Sequence, residues 1–159
     1  MKSGATVEET VSGGCVVSAR IRPACAGDSA RIADLCGQLG YPTTAEAVRE
    51  RLAGIGRGER HAVFVAEEAD RVVGWIHVYL CPLVVVGLQA EIGGLVVDED
   101  WRSHGVGRLL LEWAEQWARE RGVRELVVRS NVVRERAHVF YERMGYVCFK
   151  TSRVFRKTL

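Results

Sequence analysis

Ala90-Glu91-Ile92-Gly93-Gly94-Leu95-Val96-Val97-Asp98-Glu99-Asp100-Trp101-Arg102-Ser103-His104-Gly105-Val106-Gly107-Arg108-Leu109-Leu110-Leu111 reads as a buried strand, a glycine-spaced turn and the opening of an amphipathic helix. A helix that begins near Gly105 presents first-turn amides without partners inside the helix, and the macrodipole gives that end an effective charge of about +0.5. Anionic oxygens are the natural ligand there. Gly105 and Gly107 remove the Cβ atoms that would hold a pyrophosphate away from the amides, and Arg102 and Arg108 bracket the turn with cationic donors. The stretch therefore points to a ligand that carries a diphosphate.

On either side of it, strand and helix periods alternate. From Cys15 to Pro23, apolar Val17, Ala19 and Ile21 interleave with Ser18, Arg20 and Arg22, which predicts a first strand. Asp28 is placed to cap a helix whose Ile32, Leu35, Cys36 and Leu39 form one stripe, closed by Gly40 and Pro42. Thr43-Thr44-Ala45-Glu46 has the form of a capping box for a second helix with Val48, Leu52 and Ile55 inward, stopped by Gly54, Gly56 and Gly58. His61 to Ala66 and Arg71 to Leu80 read as a hairpin around Glu67-Glu68-Ala69-Asp70. Gly87 to Val97 is the next strand, and its Gly93-Gly94 pair suits a strand only where a bulge or a close approach requires it. After the turn, Val106, Leu109, Leu110, Trp113, Ala114 and Trp117 make a helical stripe that Gly122 ends. Leu126, Val127 and Val128 form a short strand, and Asn131 is placed to cap a helix carrying Val133, Ala137, Phe140, Tyr141 and Met144 as far as Gly145. Tyr146 to Phe155 reads as a final strand or hairpin. This order specifies an α/β fold, a mixed central sheet with helices on both faces, in one domain over residues 15–159 behind a flexible tail at 1–14.

Bulk properties narrow the partners. The 159 residues are 48% hydrophobic, enough for a proper core. Twenty-two basic against twenty acidic residues leave a charge of +2, too balanced to imply a nucleic-acid or membrane surface. The apolar run from Cys81 to Leu88 is broken by Pro82 and Gly87 and falls well short of the roughly 20 residues of a membrane helix. Met1 to Thr10 lacks the apolar core of a signal peptide, so the cytoplasm is the expected compartment. The five cysteines are odd in number and widely spaced with no CxxC pair, which predicts reduced thiols and no metal site.

Two common phosphate motifs fail on this stretch. A P-loop needs Lys and then Ser or Thr where Arg108 and Leu109 follow Gly107. A dinucleotide fingerprint places its glycines directly after the strand, whereas Asp98-Glu99-Asp100 intervenes here. Arg102-Ser103-His104-Gly105-Val106-Gly107 instead matches Arg/Gln-x-x-Gly-x-Gly/Ala, and in this the chain resembles the GNAT superfamily of acetyl-coenzyme A-dependent N-acetyltransferases. Asn131 followed by Ala137-His138-Val139-Phe140-Tyr141-Glu142-Arg143-Met144-Gly145-Tyr146 resembles that family's second motif, and the likeness runs from about Val16 to Phe155.

The resemblance implies an enzyme that moves acetyl from acetyl-coenzyme A directly to a primary amine of a small molecule or peptide, with a homodimer as a possible assembly. A non-catalytic acetyl-coenzyme A sensor or regulatory module is the alternative. It further implies that amides from Gly105 to Arg108, with Arg102, Ser103 and His104 alongside, hold the pyrophosphate, while Leu95 and Val97 pair main chain to main chain with the pantetheine arm. Asn131 either binds that arm or only caps its helix. Glu91 falls where several relatives place a general base; its other reading is a counter-ion for the amine or a solvent-facing charge. A carboxylate with a pKa near 4.3 in water is a weak base for an ammonium near 10, so burial or a relayed water has to help it. Tyr141 falls on the family's general acid and keeps its phenolic proton at neutral pH, with simple packing as the competing role. Trp75, His77 and Tyr79 alternate on one strand face, which either lines an acceptor pocket or is an ordinary half-buried sheet.

Overall fold

The computed structural model describes residues 18–56 and 59–159, which divide into one unit ending at Val128 and another from Arg129 to Leu159. Both the proposed tail at 1–14 and the start of the expected first strand at Cys15 to Val17 lie outside the described residues.

In the first unit a five-stranded sheet runs in chain order: β1 (Arg20–Pro23), β2 (His61–Glu68), β3 (Arg71–Leu83), β4 (Gly87–Val97) and β5 (Leu126–Val128). The first four pair antiparallel and β5 pairs parallel to β4, so the sheet is mixed and the fold is α/β. β1 begins at Arg20, later than its alternation suggests, because Arg20 faces Glu67 and β2 ends one residue further on. The β2–β3 hairpin is tighter than expected: Glu67 and Glu68 belong to the strand, and only Ala69 and Asp70 turn, both left-handed at φ 47° and 60°. A two-residue turn of that hand matches the twist of the strands it joins.

Helices cover both faces. α1 (Ser29–Gln38) and α2 (Ala45–Ile55) bury Ile32, Ala33, Leu35 and Val48 against Val65, Val72, Trp75 and Val96. α3 (Val106–Glu120) lies on the opposite face, where the Cβ position of Gly74 comes within 3.1 Å of Leu110 Cδ1 and 3.4 Å of Val106 Cγ1. Its buried stripe includes Leu111 and Ala118, while Trp113 is 40% exposed and only its edge meets Phe64. Gly122, at φ 73°, follows the helix end as its spacing predicts.

Two caps differ from their sequence reading. Asp28 stands at the N-cap position of α1 as expected, but its side chain does not bond the helix amides; it closes a preceding single turn (Ala26–Asp28), accepting from Cys25 N–H at 2.8 Å and from both terminal nitrogens of Arg22 at 2.8 and 2.9 Å. Arg22 outcompetes the helix amides for this carboxylate because it binds two oxygens at once. Thr44, rather than Thr43, caps α2 by accepting from Ala47 N–H at 3.2 Å, and Glu46 pairs with Arg49 in place of the reciprocal box contact. α2 runs through Gly54 and ends at Gly56, and Gly58 lies outside the described residues.

The second unit holds α4 (Glu135–Arg143), ended by Gly145 at φ 86°. Asn131 is not its cap: Arg134 occupies that position, and Asn131 Oδ1 instead accepts from Val133 N–H at 3.2 Å, closing a turn two residues long. The expected strand or hairpin over Tyr146 to Phe155 is absent, and Val147, Phe149, Val154 and Phe155 stand exposed. Alternation alone does not make a strand; without a ladder, an isolated hairpin is marginal in water.

The strand-to-turn connection rests on Asp98. Its carboxylate is buried, accepts from Arg31 of α1, from Arg71 at 3.4 Å and from Asp100 N–H at 3.2 Å, and its own N–H donates to Val73 O at 2.8 Å. Gln38 Oε1 of α1 accepts from Glu99 N–H at 3.1 Å beside it. Asp98→Ala strands Arg31 next to a void and should cost about 3 kcal/mol, read as a lower urea midpoint at unchanged slope.

Candidate active site

β4 changes character at its centre. Its ladder with β5 covers Ala90, Glu91 and Ile92 and then stops. On the other side Val78 faces Ile92 while His77 faces Gly94, so Gly93 is an extra residue and the strand bulges there. Both glycines are required by what crosses them. A Cβ on Gly93 would stand 2.8 Å from His77 Nδ1, and one on Gly94 would stand 2.7 Å from Trp75 Cη2. The bulge anticipated at this pair is present, and its cause is two rings laid over the backbone.

Among the described residues, no strand pairs with one edge of β4 beyond the bulge. Asp98 N–H points to Val73 of β3, and strand alternation then turns the amides of Leu95 and Val97 to the opposite edge, where the β5 ladder has ended. An extended ligand arm can pair with main chain at that edge. Val97 O already accepts from Arg102 Nε at 3.2 Å, which folds the Arg102 side chain back along the strand end.

The turn has the shape its glycines predict. Ser103 and Gly105 both adopt positive φ, 66° and 85°, and Gly105 is the N-terminal cap residue of α3. Nothing lies within 4 Å of its Cβ position. The first ladder bond of the helix is Leu109 N–H to Gly105 O at 3.1 Å, so Val106 and Gly107 contribute amides outside that ladder. His104 is exposed with its ring edge-on to Trp101, and Arg108 pairs with Glu112 at 3.6 Å. This open, amide-lined bend fits a pyrophosphate.

On the sheet face toward α1, β3 sends out Trp75, His77 and Tyr79, with Glu91 of β4 opposite Tyr79 and His61 of β2 opposite Tyr79 on the other side. Trp75 is buried with its indole Nε1 lacking a partner. His61 Nδ1 and His77 Nε2 stand 3.1 Å apart, within hydrogen-bond distance; the His61 ring stacks on Tyr79 with centroids 5.5 Å apart, and the His77 ring is tilted against Tyr79 at 5.6 Å. The His61 partnership has no sequence signal: counted from the Ala69-Asp70 turn, His61 should face Val78, but an extra residue, Val73, shifts the register by one. Burial, then the neighbouring His61, lowers His77 to about 4.

Asn131 and Tyr141 lie in the second unit. Asn131 is exposed, and its carbonyl accepts from Arg134 N–H at 2.9 Å. Tyr141 lies edge-on to Phe140 and tilted against Tyr146, with centroids 5.2 and 5.6 Å away. Burial pushes its phenol up to about 12, partly offset by Arg134, so it keeps its proton well above neutrality. Among the described residues no group of three His, Cys, Asp or Glu side chains could hold a metal ion, and no helix is long and apolar enough to cross a membrane.

His77 makes stability pH-dependent. It is depressed to about 4 in the fold, from near 6.5 in the open chain, so the unfolded protein binds the extra proton first. Stability present above pH 6.5 is therefore lost as pH falls toward 4 with His61, Tyr79 and Glu91 as its facing groups. Urea midpoints across this window should fall for the unaltered protein and flatten in His77→Gln; parallel curves would contradict the assignment.

Residues 31–146 match the Acetyltransferase (GNAT) family. An aminoglycoside N(6')-acetyltransferase type 1 from Stenotrophomonas maltophilia is 34% identical over 131 residues, 79% of this chain and 84% of that one. Among solved structures, a transcriptional regulator from Bacillus halodurans C-125 shares the fold at TM-score 0.79 and 22% identity, over 87% of this chain and 99% of its own. AAC(6')-Iy, solved with the bisubstrate analog CoA-S-monomethyl-acetylneamine, follows at TM-score 0.77 and 17% identity, over 89% of this chain and 99% of its own. None of these lends support to a non-catalytic binding module. The chain belongs to the GNAT acetyltransferase family and is an N-acetyltransferase that draws its acetyl group from acetyl-coenzyme A.

Proposed function

We propose that the acceptor is a primary amine on a small polar molecule of the amino-sugar class, acetylated directly within a ternary complex. The observation that carries this reading is the end of the β4–β5 ladder at Ile92, which leaves the edge at Leu95 and Val97 beside a face bearing Glu91, His77 and Tyr79. A relative named as an aminoglycoside acetyltransferase, aligned over most of both chains, supports the acceptor class. The cysteines described, Cys25, Cys36, Cys81 and Cys148, are free thiols, in keeping with the cytoplasm, and none lies on β4 or in the turn, which favours direct transfer over an acetyl-cysteine route.

Bound acetyl-coenzyme A supplies an activated thioester carbonyl. The amides of Gly105, Val106, Gly107 and Arg108, with Arg102, Ser103 and His104 beside them, hold its pyrophosphate, and the main chain of Leu95 and Val97 aligns its arm, with Asn131 as a further donor. Glu91 receives the acceptor ammonium as a counter-ion and draws off a proton, freeing the nitrogen lone pair. Tyr141 holds a phenolic proton at working pH and delivers it to the departing sulfur.

Thiol release from acetyl-coenzyme A, measured over a panel of aminoglycosides, polyamines and lysine peptides, tests the reading. Amino sugars should give the highest kcat/KM; a preference for lysine peptides would overturn the acceptor class. Tyr141→Phe should lower kcat by about 10²-fold with acetyl-coenzyme A affinity unchanged, and a wild-type rate would remove its acid role. Gly105→Val places a β-branched residue at positive φ and a methyl group toward the phosphate, so calorimetry should show at least about tenfold weaker cofactor binding.

A further inference from the structure

We propose that the His77–His61 pair is the proton outlet of the transfer site, carrying the proton released by the acceptor from the bulge in β4 to solvent at the mouth of the β2 strand. This rests on the acetyl-transfer reading above and gives a proton-carrying role to two residues that have none in that reading.

Proton balance creates the need for an outlet. An acceptor ammonium bears three protons and the product amide retains one. The departing sulfur takes one through Tyr141, so one proton per turnover has to leave the site. Glu91 is a poor resting place for it, since a carboxylate that stays protonated cannot serve the next ammonium.

The geometry supplies a path across three adjacent strands. His77 Nδ1 is the atom nearest the Cβ position of Gly93, at 2.8 Å, so this nitrogen faces the bulge. The other nitrogen, Nε2, is 3.1 Å from His61 Nδ1. His61 is exposed and stands on the wall of an open cleft of about 460 Å³ lined by Pro23, Leu52, Val63, Phe64 and Trp117. In the step, His77 Nδ1 accepts the proton drawn off by Glu91 as the His77 Nε2–H bond breaks toward His61 Nδ1. The positive charge then resides on the exposed ring, which loses it from Nε2 to water. The half-buried His77 ring stays neutral, in line with its depressed basicity, because it changes tautomer and never has to hold a charge. Reset follows once product has left and the site is open to water: His77 Nδ1–H is lost to solvent there while His61 Nδ1–H returns its proton to His77 Nε2, and His61 regains a proton from solvent. The groups facing this pair are Tyr79 on β3 and Glu91 on β4.

The test compares unaltered enzyme, His61→Ala and His77→Gln by thiol release with the best amine of the panel, each with and without added imidazole. Both variants should lower kcat by about 10²-fold with little change in amine KM, and imidazole should restore His61→Ala in a concentration-dependent manner. Acetyl-coenzyme A affinity, unchanged in both, reports that the fold is intact. Wild-type kcat in the variants, or a loss that imidazole does not touch, overturns the outlet while leaving acetyl transfer standing. Absence of thiol release by the unaltered protein with every amine overturns both readings.

Discussion

One extra residue in β4 sets what the molecule does. Gly93 enlarges the strand by a single position at the point where β5 stops pairing, so a sheet that is continuous through Ile92 becomes an opened edge by Leu95. Such a defect is costly unless something holds it, and here two rings do: His77 lies across Gly93 and Trp75 across Gly94. Any side chain at either position would collide with those rings. The same rings line the face that carries Glu91, so what distorts the strand also shapes that face.

The turn that follows is held from behind. A buried carboxylate at Asp98, bound to α1 through Arg31 and to its own loop through the Asp100 amide, fixes the exit of β4 before the chain reaches Gly105. A helix terminus attracts phosphate only when its amides converge, and this anchor determines where they do. Charge buried under a binding loop serves placement more than net stability, since removing one partner is far more damaging than never having had the pair.

Much of this was legible in the chain. The strand, turn and helix over residues 87–120 follow from periodicity and from glycines at positions that require positive φ or the loss of Cβ, and the structure places them within a residue of expectation. What escaped was set by partners distant in sequence. The Asp28 carboxylate leaves the α1 amides unbonded because Arg22, held in turn by Glu67 of β2, takes both its oxygens. The pairing of His61 with His77 depends on an unannounced bulge at Val73, and one residue of slip moves a side chain to the other face of a sheet. The apolar residues after Tyr146 alternate as a strand would, yet alternation specifies only which side faces inward once a neighbour exists.

Gly74 and Trp75 are consecutive, and they look in opposite directions. The Cβ position of Gly74 sits 2.9 Å from Val96 O and close to Val106, the first residue of α3, while the indole of Trp75 presses on Gly94 beneath the acceptor face. A single peptide unit of β3 therefore lies between the first turn of α3 and the bulge in β4. Mechanically, the first turn of α3 and the ring-covered bulge are mounted on opposite sides of the same strand.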